Sequence, residues 1–470
     1  MRTIQFYISI AFAVAVLASA CTVGKQYSRP ALNLPDNYRG QAVTADSLQL
    51  PWRSFFKDPI LVGLIEKALE KNNDMSVAVI NMQQLELTYK QSRMGLLPTL
   101  NLSVGANRNW LSENSLNGSL SSQFLGGSYM DDYSATLNLA WEADIWGKVK
   151  MQKAGALANF LAQKENLTAL KSRLIVQVAQ AYYNLITLDE QLKVAHRNVL
   201  LGDSTLNLIK LQYTAAQVNS LAVEQAEAQK KTAELLVPVA LQNIALQENT
   251  LSTLCGSYPD SVSRAGSLAD ARPEEVFPTG VPAMLLSRRP DVKAAEYAVM
   301  AANASTGLAK AAMYPSINLT PSIGTNSFKF NSWFDLPGSL VKNVGIGLTQ
   351  PIFQKKALKT AHEIALLEQQ KAAIQFRQSV LTAVEEVSGA LVRSEQADLR
   401  MQLTSQKQAS LSKATRDALL LYRNGMATYL EVITAQNNSL QNQLDMITVQ
   451  RDKLTAVTDL YRALGGGTEN

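Results

Sequence analysis

The side chains best suited to acid–base, nucleophilic or metal chemistry are scarce in this sequence and lie far apart. Its 470 residues include two histidines, His196 and His362, and two cysteines, Cys21 and Cys255. No two of the four have the short spacing from which zinc sites are built, so metal and Cys–His chemistry is poorly supplied. Both histidines fall in helix-patterned segments, where a solvated or helix-flanking imidazole is the ordinary outcome. A Gly-rich phosphate loop, a GxSxG elbow and an HExxH pair are all missing. An enzyme is therefore the least supported class, and no cofactor is implied. The net charge of +5 is spread along the chain without a Lys/Arg block, which gives a nucleic-acid surface no support.

One thiol has a context of its own. The opening "MRTIQFYISIAFAVAVLASAC" has Arg2 near its start, a mostly apolar run from Ile8 to Leu17 and small residues before Cys21. That is the layout of an export signal over residues 1–20 and is too short for a transmembrane helix. The "LASA" before Cys21 resembles the bacterial lipobox, with Ala18 where leucine is commonest. Cys21 is then either the lipidated new N-terminus or a bystander to cleavage nearby. If it is acylated, Cys255 has no intrachain partner, and stability must come from packing or assembly.

The elements that would carry a function follow from two periodicities. From Leu174 the residues Val178, Ala181, Leu185, Leu188, Leu192, Ala195, Val199, Gly202, Leu206, Ile209 and Tyr213 recur at alternating steps of four and three. This heptad seam predicts a long helix packed along a neighbour, and residues 148–212 would span about 100 Å at ~1.5 Å per residue. After a break at 214–220 the pattern returns with Val223, Ala226, Ala233, Val237, Ala240, Ile244, Leu251 and Leu254, interrupted by Lys230 and Gln247. An antiparallel helical hairpin is expected. The second half repeats the plan with Leu367, Ile374 and Leu381, then Leu411, Ala414, Ala418 and Leu421. Beyond the turn "YRNGMAT", the residues Leu430, Ile433, Leu440, Leu444, Ile447 and Leu454 form the expected returning seam.

The other period is two. In "YSATLNLAWEADIW" Tyr133, Ala135, Leu137, Leu139, Trp141, Ala143 and Ile145 alternate with mostly polar residues, and "TLNLSVGA", "SINLTPSIG" and "VGIGLTQPI" behave alike. Segments of about ten residues with one apolar and one polar face read as transmembrane β-strands or as half-buried strands of a soluble sheet. The Ser/Asn/Gly-rich connections, "LSENSLNGSLSSQFLGGSYMDD" and "KFNSWFDLPGS", favour the membrane reading, in which long polar loops face outwards.

The chain is also internally duplicated. "LQYTAAQVNSLAVEQAE" at 211–227 is echoed 209 places on by "LLYRNGMATYLEVITAQ" at 420–436, Leu97-Pro98 matches Tyr314-Pro315 at an offset of 217, and Ile145-Trp146 matches Ile352-Phe353 at 207. Four membrane strands cannot close a barrel, because open edges in lipid leave backbone groups unsatisfied at several kcal/mol each. Closure must therefore come from further copies: two give eight strands with a filled interior, three give twelve and room for a lumen.

With these motifs in hand, the chain resembles the TolC-type outer-membrane efflux channels, in the lipoprotein subgroup that serves resistance-nodulation-division (RND) systems. "CTVGKQYSRP", "WRSFFKDPIL", "SRRPDVKAAE", "WEADIWGKVK" and "LTQPIFQKKALKTA" carry the resemblance, which covers essentially the whole mature sequence. It implies an α+β membrane protein with a duplicated strand and long-helix-hairpin repeat, forming a homotrimeric twelve-stranded β-barrel continued by a twelve-helix α-barrel. On that plan residues 21–60 are an N-terminal equatorial segment. Residues 61–255 form a first repeat, with strands at about 99–110 and 133–145 and a hairpin over 148–255. Residues 256–282 are a linker, and 283–464 a second repeat with strands at about 316–328 and 342–352 and a hairpin over 355–464, before a tail at 465–470.

The resemblance further implies a passive conduit anchored in outer-membrane lipid, opened by a periplasmic adaptor and an inner-membrane RND pump. The hairpin turns would form the periplasmic aperture, with Tyr213, Tyr422, Glu431 and Thr434 as pore candidates. Ala216, Gln217, Val218, Gly425, Met426 and Ala427 would be the adaptor-docking tips. A ring of Glu431 carboxylates would favour cations. Thr434 and Ala222 stand where the family often has Asp, and "YTAAQV" lacks the glycine that Gly425 supplies to the second turn. A protein-exporting type I channel component and a periplasmic coiled-coil scaffold without a pore are the alternative readings.

Overall fold

The computed structural model describes residues 23–32, 34–38, 51–112, 114–116, 119, 129–274 and 280–468. The expected signal segment and Cys21 lie outside the described residues. Among the described residues no helix is long and apolar enough to cross a membrane. The chain divides into two compact units. One takes the residues up to Pro30, Gln83–Leu161 and Tyr297–Ile374; the other takes Ala31–Met82, Ala162–Glu296 and Gln375–Asn470.

The first unit contains a four-stranded antiparallel meander in the order β1-β2-β3-β4. Its strands are β1 (Thr99–Trp110), β2 (Tyr129–Glu142), β3 (Ser316–Ser327) and β4 (Leu340–Thr349). Alternation sorts the faces: Leu100 pairs with Leu139, Leu102 with Leu137 and Leu319 with Ile346, while Asn101 pairs with Asn138 and Ser103 with Thr136. The polar face is knit by amide and hydroxyl groups, as where Asn138 donates to Ser103 Oγ and Thr136 Oγ1, each at 3.2 Å. The apolar face is bare. Leu102, Val104, Val344, Ile346 and Leu348 are 64–77% exposed, and β1 and β4 leave their outer edges unpaired. A sheet built this way leaves an apolar face to be covered and two edges to be paired.

Two strands end earlier than their alternation alone predicts. The apolar rhythm of β2 runs on to Ile145, but the strand ends at Glu142, with one last bond from the Ala143 N–H to the Ile317 carbonyl at 3.0 Å, and Asp144 turns to the next helix. Its carboxylate accepts from the N–H groups of Val149 (3.0 Å) and Lys150 (3.2 Å), orphan donors at the start of the next helix. Strand β4 stops at Thr349 because Pro351 has no N–H to pair.

The second unit is helical. Short α1 (Trp52–Phe55) and α2 (Pro59–Lys71) precede α3 (Asn73–Ser92), and the long α4 (Lys148–Thr214) turns into α5 (Ser220–Leu254). Then come α6 (Leu285–Arg288), α7 (Pro290–Ala311), the long α8 (Ala357–Arg423) and α9 (Tyr429–Ala463). Helices α3, α4, α7 and α8 have residues in both units. In the first hairpin Leu174, Val178, Ala181, Leu185, Ala195, Leu206 and Ile209 are buried, as the heptad seam requires. Its two polar interruptions are answered across the hairpin: Lys230 meets Asp203 at 2.6 Å, and Gln247 donates to the Ala181 carbonyl at 3.0 Å.

The second hairpin departs from the expected seam. Leu367, Ile374, Leu381 and Leu430 are all 59–65% exposed within the single chain. Nothing in the described chain covers these seam-spaced side chains. Helix α9 buries the expected Ile447 and Leu454, but nearer the turn it buries Tyr429, Val432, Gln436, Ser439 and Asn442 in place of Leu430.

The core of the helical unit lies where α1 meets the end of α9. Phe55 stacks on Tyr461 with centroids 4.0 Å apart, beside buried Trp52, Phe56, Leu61 and Ile65. The 256–274 segment is strapped onto the first hairpin by Arg264, which meets Asp189 at 2.5 Å and also pairs with Glu248. Tyr182 donates to Asp58 at 2.5 Å and accepts the Ala265 N–H at 2.9 Å. Cys255 is buried with its Sγ 3.5 Å from the Leu64 carbonyl, and burial pushes its thiol pKa up. A reactive thiol needs the opposite environment.

Candidate functional site: the hairpin turns

Helices α4 and α8 stop for the same backbone reason. At the first turn the N–H of Ala216 bonds to the Tyr213 carbonyl (2.9 Å) and that of Gln217 to the Gln212 carbonyl (2.9 Å). At the second, Gly425 bonds to Tyr422 (3.0 Å) and Met426 to Leu421 (2.8 Å). This is the Schellman closure, which needs a left-handed residue after the helix. Gly425 supplies it with φ +71°; Ala216 adopts it with φ +57° despite its methyl group. The missing glycine in "YTAAQV" therefore changes the energy of the first turn and leaves its geometry alone.

The returning helices start differently. Asn219 caps α5 by accepting from the Ala222 N–H at 3.2 Å. Thr428 caps α9 in a capping box with Glu431, whose Oε2 takes the Thr428 N–H at 2.5 Å and the Thr428 hydroxyl at 3.2 Å. The pore candidate Glu431 is thus an exposed residue with its carboxylate folded back on its own helix end. Thr434 is exposed too, its hydroxyl donating to the Leu430 carbonyl at 2.7 Å.

The two tyrosines part company. Tyr422 is 7% exposed and Tyr213 49% exposed, although they hold the same place in the two turns. Tyr422 belongs to a buried cluster with Leu206, Ile209, Ala226, Tyr429 and Val432, drawn from both hairpins. Its hydroxyl donates to Gln212 Oε1, and its ring lies 6.1 Å from that of Tyr429. Burial raises the Tyr422 pKa, and it pushes Tyr429 up to about 12 with help from Tyr422 beside it. Of the docking candidates, Ala216, Gln217, Gly425 and Met426 are exposed, while Val218 and Ala427 pack against the cluster.

The sequence reading missed a polar layer behind this cluster. Gln436 donates to Thr205 Oγ1 (3.1 Å), Gln408 to Ser439 Oγ (3.2 Å), and Asn442 to both the Thr404 carbonyl (3.0 Å) and Gln408 Oε1 (2.9 Å). Asn442 is fully buried. A seam search restricted to apolar residues passes over such positions; the signal present was their own three-and-four spacing from Tyr429 and Val432.

Comparison with known proteins gives this architecture its context. The family described as outer membrane efflux protein matches residues 64–257 and 281–466. The chain belongs to that family. The matched segments start 217 residues apart and end 209 apart, so the family pattern is present in two tandem copies. A cation efflux system protein, CusC, of Escherichia coli is 29% identical over 462 residues, covering 97% of this chain and 98% of that relative. The toluene efflux pump outer membrane protein TtgF of Pseudomonas putida is 30% identical over 482 residues, covering 99% and 97%. Among solved structures, CusC matches with TM-score 0.85 and 27% identity over 95% of this chain and all of that one. The open-state MtrE channel of Neisseria gonorrhoeae matches with TM-score 0.84 and 29% identity over 96% and 99%. The protein is therefore a TolC-type efflux channel of the outer membrane.

Within the family fold the string "SRRPDVKAAE" has a structural task. Arg289, with its side chain 4% exposed, bonds Asp291 at 2.9 Å and Glu386 at 2.5 Å. Arg462 reaches the same Glu386 at 3.1 Å, so the start of α7 is tied to α8 and the end of α9. Burial opposes the charge on Asp291, yet the Arg289 bond and charge hold its pKa below the usual carboxylate range. Among the described residues no group of His, Cys, Asp and Glu is arranged to hold a metal.

Proposed function

We propose that three copies assemble into a passive conduit for an RND-type efflux system, with Cys21 acylated in the outer membrane. The observation that carries this reading is the sheet: one chain supplies four strands, an apolar face that is bare, and two unpaired edges. Twelve strands from three copies would remove every edge and leave a lumen lined by the polar face of Asn, Ser and Thr, on which Asp132 and Glu142 also lie. The two turns of each copy would make a ring of six at the periplasmic end. There they meet an adaptor linked to an inner-membrane pump, which supplies the energy. The conduit itself does no chemistry. Three Glu431 carboxylates in that ring favour cations, and the exposed Ala216, Gln217, Gly425 and Met426 are the docking tips.

The test is single-channel conductance of the full-length protein in a planar bilayer, wild type against Glu431→Ala. Cation-preferring steps whose preference falls in the variant are the expected result. Steps with unchanged preference would keep the channel and remove Glu431 from its constriction. A protein that neither trimerises nor inserts would sink the conduit reading.

A further inference from the structure

We propose that the Ile352–Phe353 dipeptide is a plug for a second copy of this chain, seated on that copy's Leu96–Leu97–Pro98 shoulder. The inference rests on the oligomeric reading above and adds the residues that join neighbouring copies where strand passes to helix. Its template lies within the chain. Trp146, just after β2, lays its ring against Tyr314 with centroids 4.9 Å apart and donates its indole N–H to the Pro315 carbonyl at 2.6 Å. Tyr314 and Pro315 come just before β3, the strand next to β2.

The duplication maps each half of that contact onto the other repeat: Trp146 onto Phe353, and Tyr314-Pro315 onto Leu97-Pro98. Phe353 follows β4 and Leu97-Pro98 precede β1, so the two halves of the second contact stand at opposite open edges of the sheet. They can meet only between copies. Both are bare, as this requires: Ile352 is 94% exposed, Phe353 79%, Leu97 61% and Leu96 56%. Adjacent large apolar side chains this exposed mark an interaction site, not an ordinary surface.

The backbone supplies a second observation. Where the first junction turns on Gly147 at φ +72°, the second uses Lys355 and Lys356 in succession at φ +49° and +62°. Left-handed residues with side chains are disfavoured and persist where surrounding contacts determine them. A neighbouring copy gripping Phe353 supplies such a contact. Phenylalanine has no counterpart to the indole N–H, so this joint is apolar. The hairpin registers also differ by two residues, since Ser316 pairs with Thr349 whereas its counterpart Thr99 pairs with Ala140, the counterpart of Gly347. The seat is accordingly the three-residue shoulder and not a single side chain.

Disulfide trapping tests the assignment in the full-length protein in its native membrane. Phe353→Cys is combined with Leu97→Cys or with Leu96→Cys, oxidised with copper phenanthroline, and compared with each single variant. A ladder of covalent oligomers in at least one double variant, absent from the singles, is expected. Phe353→Ala should lower the temperature at which the oligomer dissociates in detergent, with Phe353→Leu restoring most of the loss. If neither double variant cross-links while native gels still show a trimer, Phe353 faces lipid and the plug is overturned with the channel reading intact. If the wild type itself is monomeric in the membrane, the channel reading falls, and the plug with it.

Discussion

The two hairpin turns share one backbone and differ in nearly everything that fastens it. Each closes by the same pair of hydrogen bonds, 209 residues apart. The first carries Ala216 in a left-handed conformation, caps its returning helix with Asn219, has Ala222 at the third helical position and leaves Tyr213 half-exposed. The second has Gly425, the Thr428–Glu431 box and a buried Tyr422. A left-handed alanine costs about 1–2 kcal/mol and a good N-terminal cap contributes about 1 kcal/mol. Equal geometry thus conceals unequal stability, and the first turn is the looser of the two.

The largest effect that could break this comparison comes from the tyrosines. Tyr422→Ala empties a site in the shared cluster and should destabilise the tips by ~3 kcal/mol or more, the usual scale for a buried aromatic. Tyr213→Ala should cost less than about 1 kcal/mol within the protomer, as surface substitutions do. Amide hydrogen exchange across 206–226 and 415–435 reads both. Equal losses of protection would show that assembly buries Tyr213 as deeply as Tyr422.

Alkaline pH probes the same asymmetry without mutation. A tyrosine whose folded pKa is raised stabilises the fold below the unfolded value of about 10. That contribution is lost as pH rises from there through the folded value, about 12 for Tyr429. The raised Tyr422 acts in the same direction. The helical circular dichroism signal should therefore melt at lower temperature as pH rises above ~10, and Tyr429→Phe should delay the change. An unchanged onset in that variant would place the sensitive group elsewhere.

The same contrasts explain what could be read in advance. Strand alternation, heptads and the duplication are local patterns, so the four strands and both hairpins were legible. So was the place of each turn, because Tyr213 and Tyr422 close equivalent segments. What stayed hidden depended on competition between neighbours. Asp144 turns from the end of β2 to cap α4, and Ala216 takes a glycine's conformation because the Schellman bonds outweigh the strain. The face that α9 buries was legible only in part: Ile447 and Leu454 are buried as the seam requires and Ile433 packs against the tip cluster, whereas Leu430 is exposed and Gln436, Ser439 and Asn442 are buried through hydrogen bonds. Leu367, Ile374 and Leu381 kept their spacing but are exposed within the single chain.

Exchanging the left-handed residues sharpens the comparison at the next scale down. Ala216→Gly should stabilise the first turn by about 0.5–1 kcal/mol, relief of strain outweighing the added freedom of the unfolded chain. Gly425→Ala should cost the second turn about 1 kcal/mol, and nothing lies within 4 Å of the added methyl to add a clash. Opposite signs at 209 residues' separation, read by exchange of the two turns, are the expected pattern. A loss in both would mean that the Ala216 methyl makes a contact the strain argument omits.

The smallest effect concerns the capping box, and it separates structure from conduction. Glu431→Ala removes the acceptor of the Thr428 N–H and should loosen the start of α9 by ~0.5–1 kcal/mol. Glu431→Gln keeps an acceptor oxygen without the charge, so it should restore most of the cap while leaving any charge-dependent cation preference lost. Ala222→Glu places a carboxylate at the matching third position of α5, behind Asn219, where the helix N-terminus favours negative charge by a few tenths of a kcal/mol. If the tips line a pore, the same change doubles the ring of carboxylates and raises cation preference. Exchange rates that respond to Ala222→Glu with conductance unmoved would confine both carboxylates to capping and move the constriction elsewhere. Conductance that responds with exchange unmoved would make Glu431 a pore residue first and a cap second.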